Sequence, residues 1–180
     1  EQTSSGLRGL IAYAEVHGVN DDLRSKINVG INGILRKQKN NGAFGYWDKY
    51  SSIYDKYQPY AIETLQMALP FADNKEATVE GISNGLEALY RMDLGDPSTR
   101  LYSYGILANS GYEVTTRIRY ETDRLLTRIP ESWKSQKKLG IKQQELDSFA
   151  VAYWAASKIN DNERMSRINI TEPTILTISS

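Results

Sequence analysis

This sequence predicts an all-α fold of stacked helix hairpins, and three observations predict it. Apolar residues recur at i, i+3, i+4 and i+7 along nearly the whole chain. Residues that cap or stop helices interrupt that pattern at intervals of about one helix. The resulting hairpins recur every roughly 35 to 45 residues, the spacing of stacked helix pairs. Such pairs form an open solenoid or close into an α/α toroid, and periodicity does not choose between them.

Taken in order, Leu7, Leu10, Ile11 and Ala14 mark one face of a first helix. Thr3 or Ser4 can cap its start, and Gly18 can end it. Asn20-Asp21-Asp22 supplies the next cap and sets acidic charge at the positive end of a helix dipole. Leu23, Ile27, Ile31, Ile34 and Leu35 form the stripe behind it, so a short turn joins two antiparallel helices. The polar and aromatic loop QKNNGAFGYWDKYSS follows. Pro59 is expected in the first turn of a third helix carrying Tyr60, Ala61, Leu65, Ala68 and Leu69 and stopped by Pro70. Asn74 opens a fourth, with Val79, Ile82, Leu86, Leu89 and Tyr90. Leu94-Gly95-Asp96-Pro97-Ser98 is a strong break. A fifth helix holds Leu101, Tyr104, Leu107 and Ala108 and ends near Gly111. A sixth, from about Val114, holds Ile118, Leu125, Leu126 and Ile129 before Pro130, with Trp133 in an unassigned segment beyond. The next runs from Gln143 to about Ile159, with Leu146, Phe149, Ala150 and Tyr153. Asn160-Asp161-Asn162 breaks it ahead of a short helical piece. Roughly eight or nine helices are expected, in one domain over 1–168.

Residues 169–180 change character. The β-branched residues over 174–179 read as one strand. A lone strand is not stable, so its partners are expected in an adjacent β-domain of a longer protein.

Composition narrows the function classes. Lys plus Arg equals Asp plus Glu at 22 each in 180 residues. A chain with no basic excess is not built for nucleic acid or an anionic membrane surface. No apolar run approaches the roughly 20 residues of a membrane span, and no targeting segment stands at the front. There is no cysteine, which removes disulfides, thiolate zinc sites and cysteine nucleophiles within these residues. His17 is the single histidine, so His-rich metal sites and His-based triads with spare candidates are excluded. No metal site, cofactor or catalytic residue is therefore expected.

Gln38 to Trp47 has the form Q-x-x-x-G-x-F-x-x-W. Gly42 and Gly45 permit positive φ and a sharp turn. Phe44 and Trp47 are apolar anchors against neighbouring helices. Gln38 can tie the helix end to backbone amides of the loop. The pattern resembles one that recurs in α/α-toroid proteins: terpene cyclases, protein prenyltransferase β-subunits, and the thioester domains of complement and alpha-2-macroglobulin proteins. Its job in those folds is packing.

The opening residues separate these families. Glu1-Gln2-Thr3-Ser4-Ser5 resembles the second half of Cys-Leu-Glu-Gln-Thr, the bacterial form of the thioester motif. The helix from Gly6 to Leu10 resembles the one that follows that motif. Asn41-Gly42-Ala43-Phe44-Gly45-Tyr46-Trp47 is similar to the family's N/D-G-x-F-G-x-W. The segments 57–69 and 101–111 are similar to its later helices. The resemblance extends to about residue 168 and rests on order and spacing. It implies an α/α toroid and a bacterial alpha-2-macroglobulin-like parent. The family's Cys precedes its Gln by three residues, two places before Glu1, and is not among these residues.

What the resemblance implies chemically is a Cys–Gln thioester. Residues i and i+3 on a first helical turn share a face. A thiol linked to the Gln2 carbonyl carbon makes an activated acyl group with a thiolate leaving group. A lysine amine of a trapped protease attacks that carbon and leaves an amide crosslink. Backbone amides at the helix start would hold the oxyanion. Glu1 belongs to the motif, and Tyr46, Trp47, Tyr50 and Tyr54 are conceivable cover against water, or plain packing. The same resemblance implies a suicide reagent and not an enzyme. It implies a periplasmic parent, lipid-anchored to the inner membrane or else secreted. Its expected partners are proteases, the other domains of the same macroglobulin chain and a peptidoglycan synthase, without direct membrane contact by this domain.

Two other classes compete. A toroid enzyme of the terpene-cyclase type needs an Asp-rich acid motif, and the chain has only Asp21-Asp22. The prenyltransferase type needs a zinc site with Cys. A carbohydrate-active toroid needs two carboxylates facing one cavity, and Glu63, Glu87 and Glu145 are mid-helix without a visible pair. A helical-repeat binding module needs no chemistry at all. His17 reads as a cation at a helix C-terminus. Asp21-Asp22 and Asp161-Asn162-Glu163 read as caps and solvated turns.

Overall fold

The computed structural model describes residues 2–45, 54–127 and 143–169, with side chains for 3–45, 57–127 and 148–168. Among these, eight α-helices follow one another: α1 (Gln2–His17), α2 (Asp21–Leu35), α3 (Tyr54–Ala68), α4 (Lys75–Arg91), α5 (Pro97–Asn109), α6 (Thr115–Leu126), α7 (Gln143–Lys158) and α8 (Asn162–Asn169). A 3-10 turn, Leu69–Phe71, extends α3. No strand occurs among the described residues beyond a single antiparallel bridge between Gln38 and Phe44. The all-α class holds. The strand expected over 174–179 lies outside the described residues, as do Trp133 and Ile129. The chain divides into two units, Glu1–Asp93 and Leu94–Ser180.

The first unit is two hairpins side by side. Gly18 takes φ +79° and ends α1, its N–H closing on Ala14 O. Asn20 caps α2 by accepting from Leu23 N at 2.8 Å. α2 returns along α1, since a Cβ on Gly30 would meet Leu7 and one on Gly33 would meet the Thr3 methyl. Asn74 caps α4 in the same way through Ala77 N. α3 lies beside α1 and α4, and α2 also touches α3 and α4. Leu7, Ile11, Ile27, Ile31, Ile62 and Leu65 are sealed between them. Each such side chain contributes about 1.5–3 kcal/mol of hydrophobic stabilisation.

The second unit repeats the plan. Asp96 caps α5 from Thr99 N, with Pro97 as its first residue. Gly111, at φ +86°, turns the chain into α6. α7 packs along α5 in the same direction: Ser98 meets Ser148 through their hydroxyls at 2.6 Å, and further on Trp154 lies against Gly105. α8 closes on α6 and α7.

Several expectations change. α1 is already helical at Gln2, so Thr3 and Ser4 sit inside its first turn and do not cap it. α3 begins at Tyr54, which puts Pro59 in its interior. Gln58, the residue before Pro59, is held by two side-chain bonds, to Phe44 N and Gly85 O. Tyr60, Val79 and Ala150, expected on the apolar stripes, are exposed. Each lies at the edge of a stripe whose centre is carried by Ile62 and Leu65, by Ile82 and Leu86, or by Ala152 and Ala156. Asp161 does cap α8, accepting from Arg164 N at 3.2 Å, but it is no solvated turn residue: it is 6% exposed and ion-paired.

Candidate functional site

The loop after α2 starts as a miniature hairpin. Lys39 N donates to Ala43 O at 2.8 Å and Gly42 N to Lys39 O at 2.9 Å. Asn40-Asn41-Gly42 is thus a three-residue connection, a turn followed by a glycine in the left-handed region. Gly42 has φ +83°, and a Cβ there would stand 2.1 Å from the carbonyl oxygen of Asn84. The backbone of the loop therefore presses directly on the backbone of α4.

Two glutamines clasp it there. Gln38 Nε2 donates to Gly42 O at 3.0 Å and to Gly81 O at 2.7 Å. The tie expected of Gln38 exists, made to carbonyls and not to amides. Gln58, fully buried, accepts from Phe44 N at 2.7 Å and donates to Gly85 O at 2.9 Å. Gly81 and Gly85 lie one turn apart on α4. A Cβ on Gly85 would come within 2.7 Å of the Phe44 ring, and one on Gly81 within 2.3 Å of Leu35. Phe44 is 5% exposed, seated over this bare stretch of helix. Of the expected packing set, Gln38, Gly42 and Phe44 meet here. Trp47, Tyr46, Tyr50 and Glu1 lie outside the described residues.

Next to the clasp is a cavity of about 90 Å³, lined by Thr3 and Ser4 of α1, Gly33, Ile34 and Lys37, Phe44 and Gly45 of the loop, and Tyr57 and Ala61 of α3. The first turn of α1, which starts at Gln2, thus shares a cavity with the loop. Tyr54 opens α3 one turn before Tyr57. The side chains of Gln2 and Tyr54 lie outside the described set.

Arg8 fixes α1 to α3. Its Nε donates to Thr64 Oγ1 at 2.8 Å, one Nη to Glu63 Oε2 at 2.7 Å and to Tyr60 O at 3.2 Å, and its guanidinium lies 4.5 Å from the Tyr60 ring centroid. Glu63 is thereby a structural anion, and Glu87 pairs with Arg91. Sequence reading missed Arg8, Gln58, Gly81 and Gly85. The i, i+4 spacing of the two glycines was the one signal that could have pointed to a close approach on α4.

At the far end of α1, Tyr13 and His17 pair at 4.4 Å between ring centroids beside an open groove that also takes in Leu23 and the Asp22–Lys26 ion pair. In the second unit an ionic cluster joins α6, α8 and the turn before α8. Asp161 Oδ2 accepts from Arg119 Nε and Arg164 Nη1, both at 2.9 Å, and Asp123 accepts from Arg164 and Arg167. Burial works to raise the Asp161 carboxyl. The backbone N–H of Arg164 and the side chains of Arg119 and Arg164 outweigh it and hold the group below its ordinary value. Arg100 Nη2 donates to the buried Glu121 at 3.3 Å, and its Nε stands 2.9 Å from the other oxygen, off the N–H axis.

Among the described residues no cluster of His, Asp or Glu is placed to hold a metal ion. No helix among them is long and apolar enough to cross a membrane. Comparison of the chain with protein-family models, with curated proteins and with solved structures finds no match.

Proposed function

We propose that the chain is the thioester domain of a bacterial alpha-2-macroglobulin-like protein, a covalent protease trap whose stacked hairpins belong to an α/α toroid. One observation carries the reading. The first turn of α1, following the Glu1-Gln2 pair, lines the same cavity as Phe44 and Gly45 of the glycine–aromatic loop. Thr3 and Ser4 of the opening motif thus share a cavity with Phe44 and Gly45 of the loop motif.

In the parent protein a Cys three positions before Gln2 supplies the sulfur, on the same face of the first turn. The amine nitrogen of a protease lysine attacks the Gln2 acyl carbon. The carbon–sulfur bond breaks, the sulfur leaves as thiolate and takes the amine's proton, and an amide remains. Amides at the start of α1 face the developing oxyanion. Tyr46, Tyr50 and Tyr54 serve as cover. The reaction runs once per molecule, needs no cofactor, and takes place in the periplasm or outside the cell.

The test is methylamine treatment of the full-length parent. The tryptic peptide ending at Arg8 is expected to gain methylamine at Gln2, with release of one thiol. Gln2→Ala abolishes both. A parent without Cys three residues upstream, or one that takes up no amine, reduces this domain to a helical binding module.

A further inference from the structure

Three Asn-Gly pairs occur in the chain: Asn32–Gly33, Asn41–Gly42 and Asn84–Gly85. This dipeptide is the one most open to self-modification, because glycine leaves its own N–H unshielded. Two of the pairs lie inside regular helices, α2 and α4, where the glycine amide belongs to the backbone ladder. Asn41–Gly42 is different. Asn41 is exposed at the tip of the miniature hairpin. Both reacting groups are nevertheless tied: Gly42 N donates to Lys39 O at 2.9 Å, and Asn41 Oδ1 accepts from Ala43 N at 3.1 Å.

From this we infer that Asn41 is a self-modification site guarded by the loop clasp, converting to aspartate or isoaspartate once the clasp opens. Gly42 N attacks Asn41 Cγ, the Cγ–Nδ2 bond breaks, and ammonia leaves with the proton of the Gly42 amide. Water then opens the five-membered imide at either carbonyl. Opening at Cγ gives aspartate in the original main chain, and opening at the other carbonyl gives isoaspartate. Neither product returns to asparagine, because the ammonia is lost, and the second also changes the main chain. It adds a methylene to the main chain between residues 41 and 42, where Gly42 already leaves no space for a Cβ beside Asn84 O. The turn that presents Gly42 O to Gln38 cannot re-form, and Phe44 loses its seat over Gly85. Since Phe44 and Gly45 also wall the cavity at the first turn of α1, the modified loop leaves that cavity open. The inference stands independently of the thioester reading.

The experiment compares the native protein at mildly alkaline pH with its excised tryptic peptide 40–49. Conversion is followed as a mass gain of about one dalton, as the elution shift of the isoaspartyl peptide, and by methylation with an isoaspartyl methyltransferase. Freeing the neutral hydrogen bond of the Gly42 amide predicts conversion about fivefold slower in the native protein, or about 1 kcal/mol at 1.4 kcal/mol per decade. Gln38→Ala, which removes one half of the clasp, is expected to move Asn41 toward the peptide rate and leave Asn32 unchanged. Native Asn41 converting as fast as the peptide overturns the guard. So does a Gln38→Ala protein that stays folded by circular dichroism, exchanges the Gly42 amide faster, and converts no faster than wild type.

Discussion

At Gln58 the chain buries a full amide side chain and satisfies both ends of it. Replacing it with Leu strands the Phe44 N–H in a dry site, while Gly85 O keeps its helical partner. An orphaned buried donor costs about 1–3 kcal/mol. Gln38 is only partly buried, and its partners are carbonyl oxygens, which bear an unfilled lone pair better than a buried N–H bears the loss of its acceptor. Gln58→Leu is therefore expected to lower the urea midpoint clearly more than Gln38→Leu does. Gly42→Ala is harsher than either. It forces a side chain into the left-handed region and into a backbone carbonyl that cannot swing away, for a loss of at least about 2 kcal/mol. Thr122 poses the opposite case: its hydroxyl is fully buried with no protein partner. Thr122→Val is expected to leave stability unchanged or raise it by about 1 kcal/mol in thermal denaturation.

Among the elements, helix ends carry the clearest chemistry. Asn20, Asn74 and Asp96 each accept an N–H three residues on; Asn20 and Asn74 are legible in the sequence as helix starts because a cap needs only its own turn, whereas Asp96 reads only as part of a break. Asp96→Ala is expected to cost about 1 kcal/mol, read as earlier fraying of α5 amides in hydrogen exchange. The start of α3 was misread for a related reason. Pro at a helix start is the ordinary choice, and nothing within the segment announces that Gln58 bonds to partners 14 and 27 residues away. The clasp was half legible: Gln38, Gly42 and Phe44 form a pattern, but a buried Gln58 looks like any surface glutamine. Gly81 and Gly85 look like weak spots in a helix until the Phe44 ring is placed over them.

Over the molecule as a whole, the equal totals of acid and base conceal an uneven use of them. Among the described residues the first unit has separate i, i+4 pairs, Asp22–Lys26 and Glu87–Arg91, while the second gathers Asp123 and Asp161 under three arginines. Asp161 titrates lower when folded than when unfolded, so its contribution is complete above the ordinary carboxylate value of about 4 and fades as pH falls through the folded value. Acid is expected to loosen the second unit across that window. Asp161→Asn should flatten the pH profile there while lowering stability at neutral pH, as followed by urea midpoints at pH 3 and pH 7. The pairing of helices was legible from periodicity. The cluster was not, because Asp161 sits in a run of turn residues whose burial depends on α6 packing against α8. The seat of Trp154 gives access to this unit. Only Trp47, Trp133 and Trp154 are present in the chain, and Trp154 stacks on Gly105 near Tyr102, with the Lys158 ammonium 5.2 Å from its ring. With Trp47 and Trp133 changed to Phe, the remaining indole becomes an optical gauge of the seam between α5 and α7, its emission shifting red the moment those helices part.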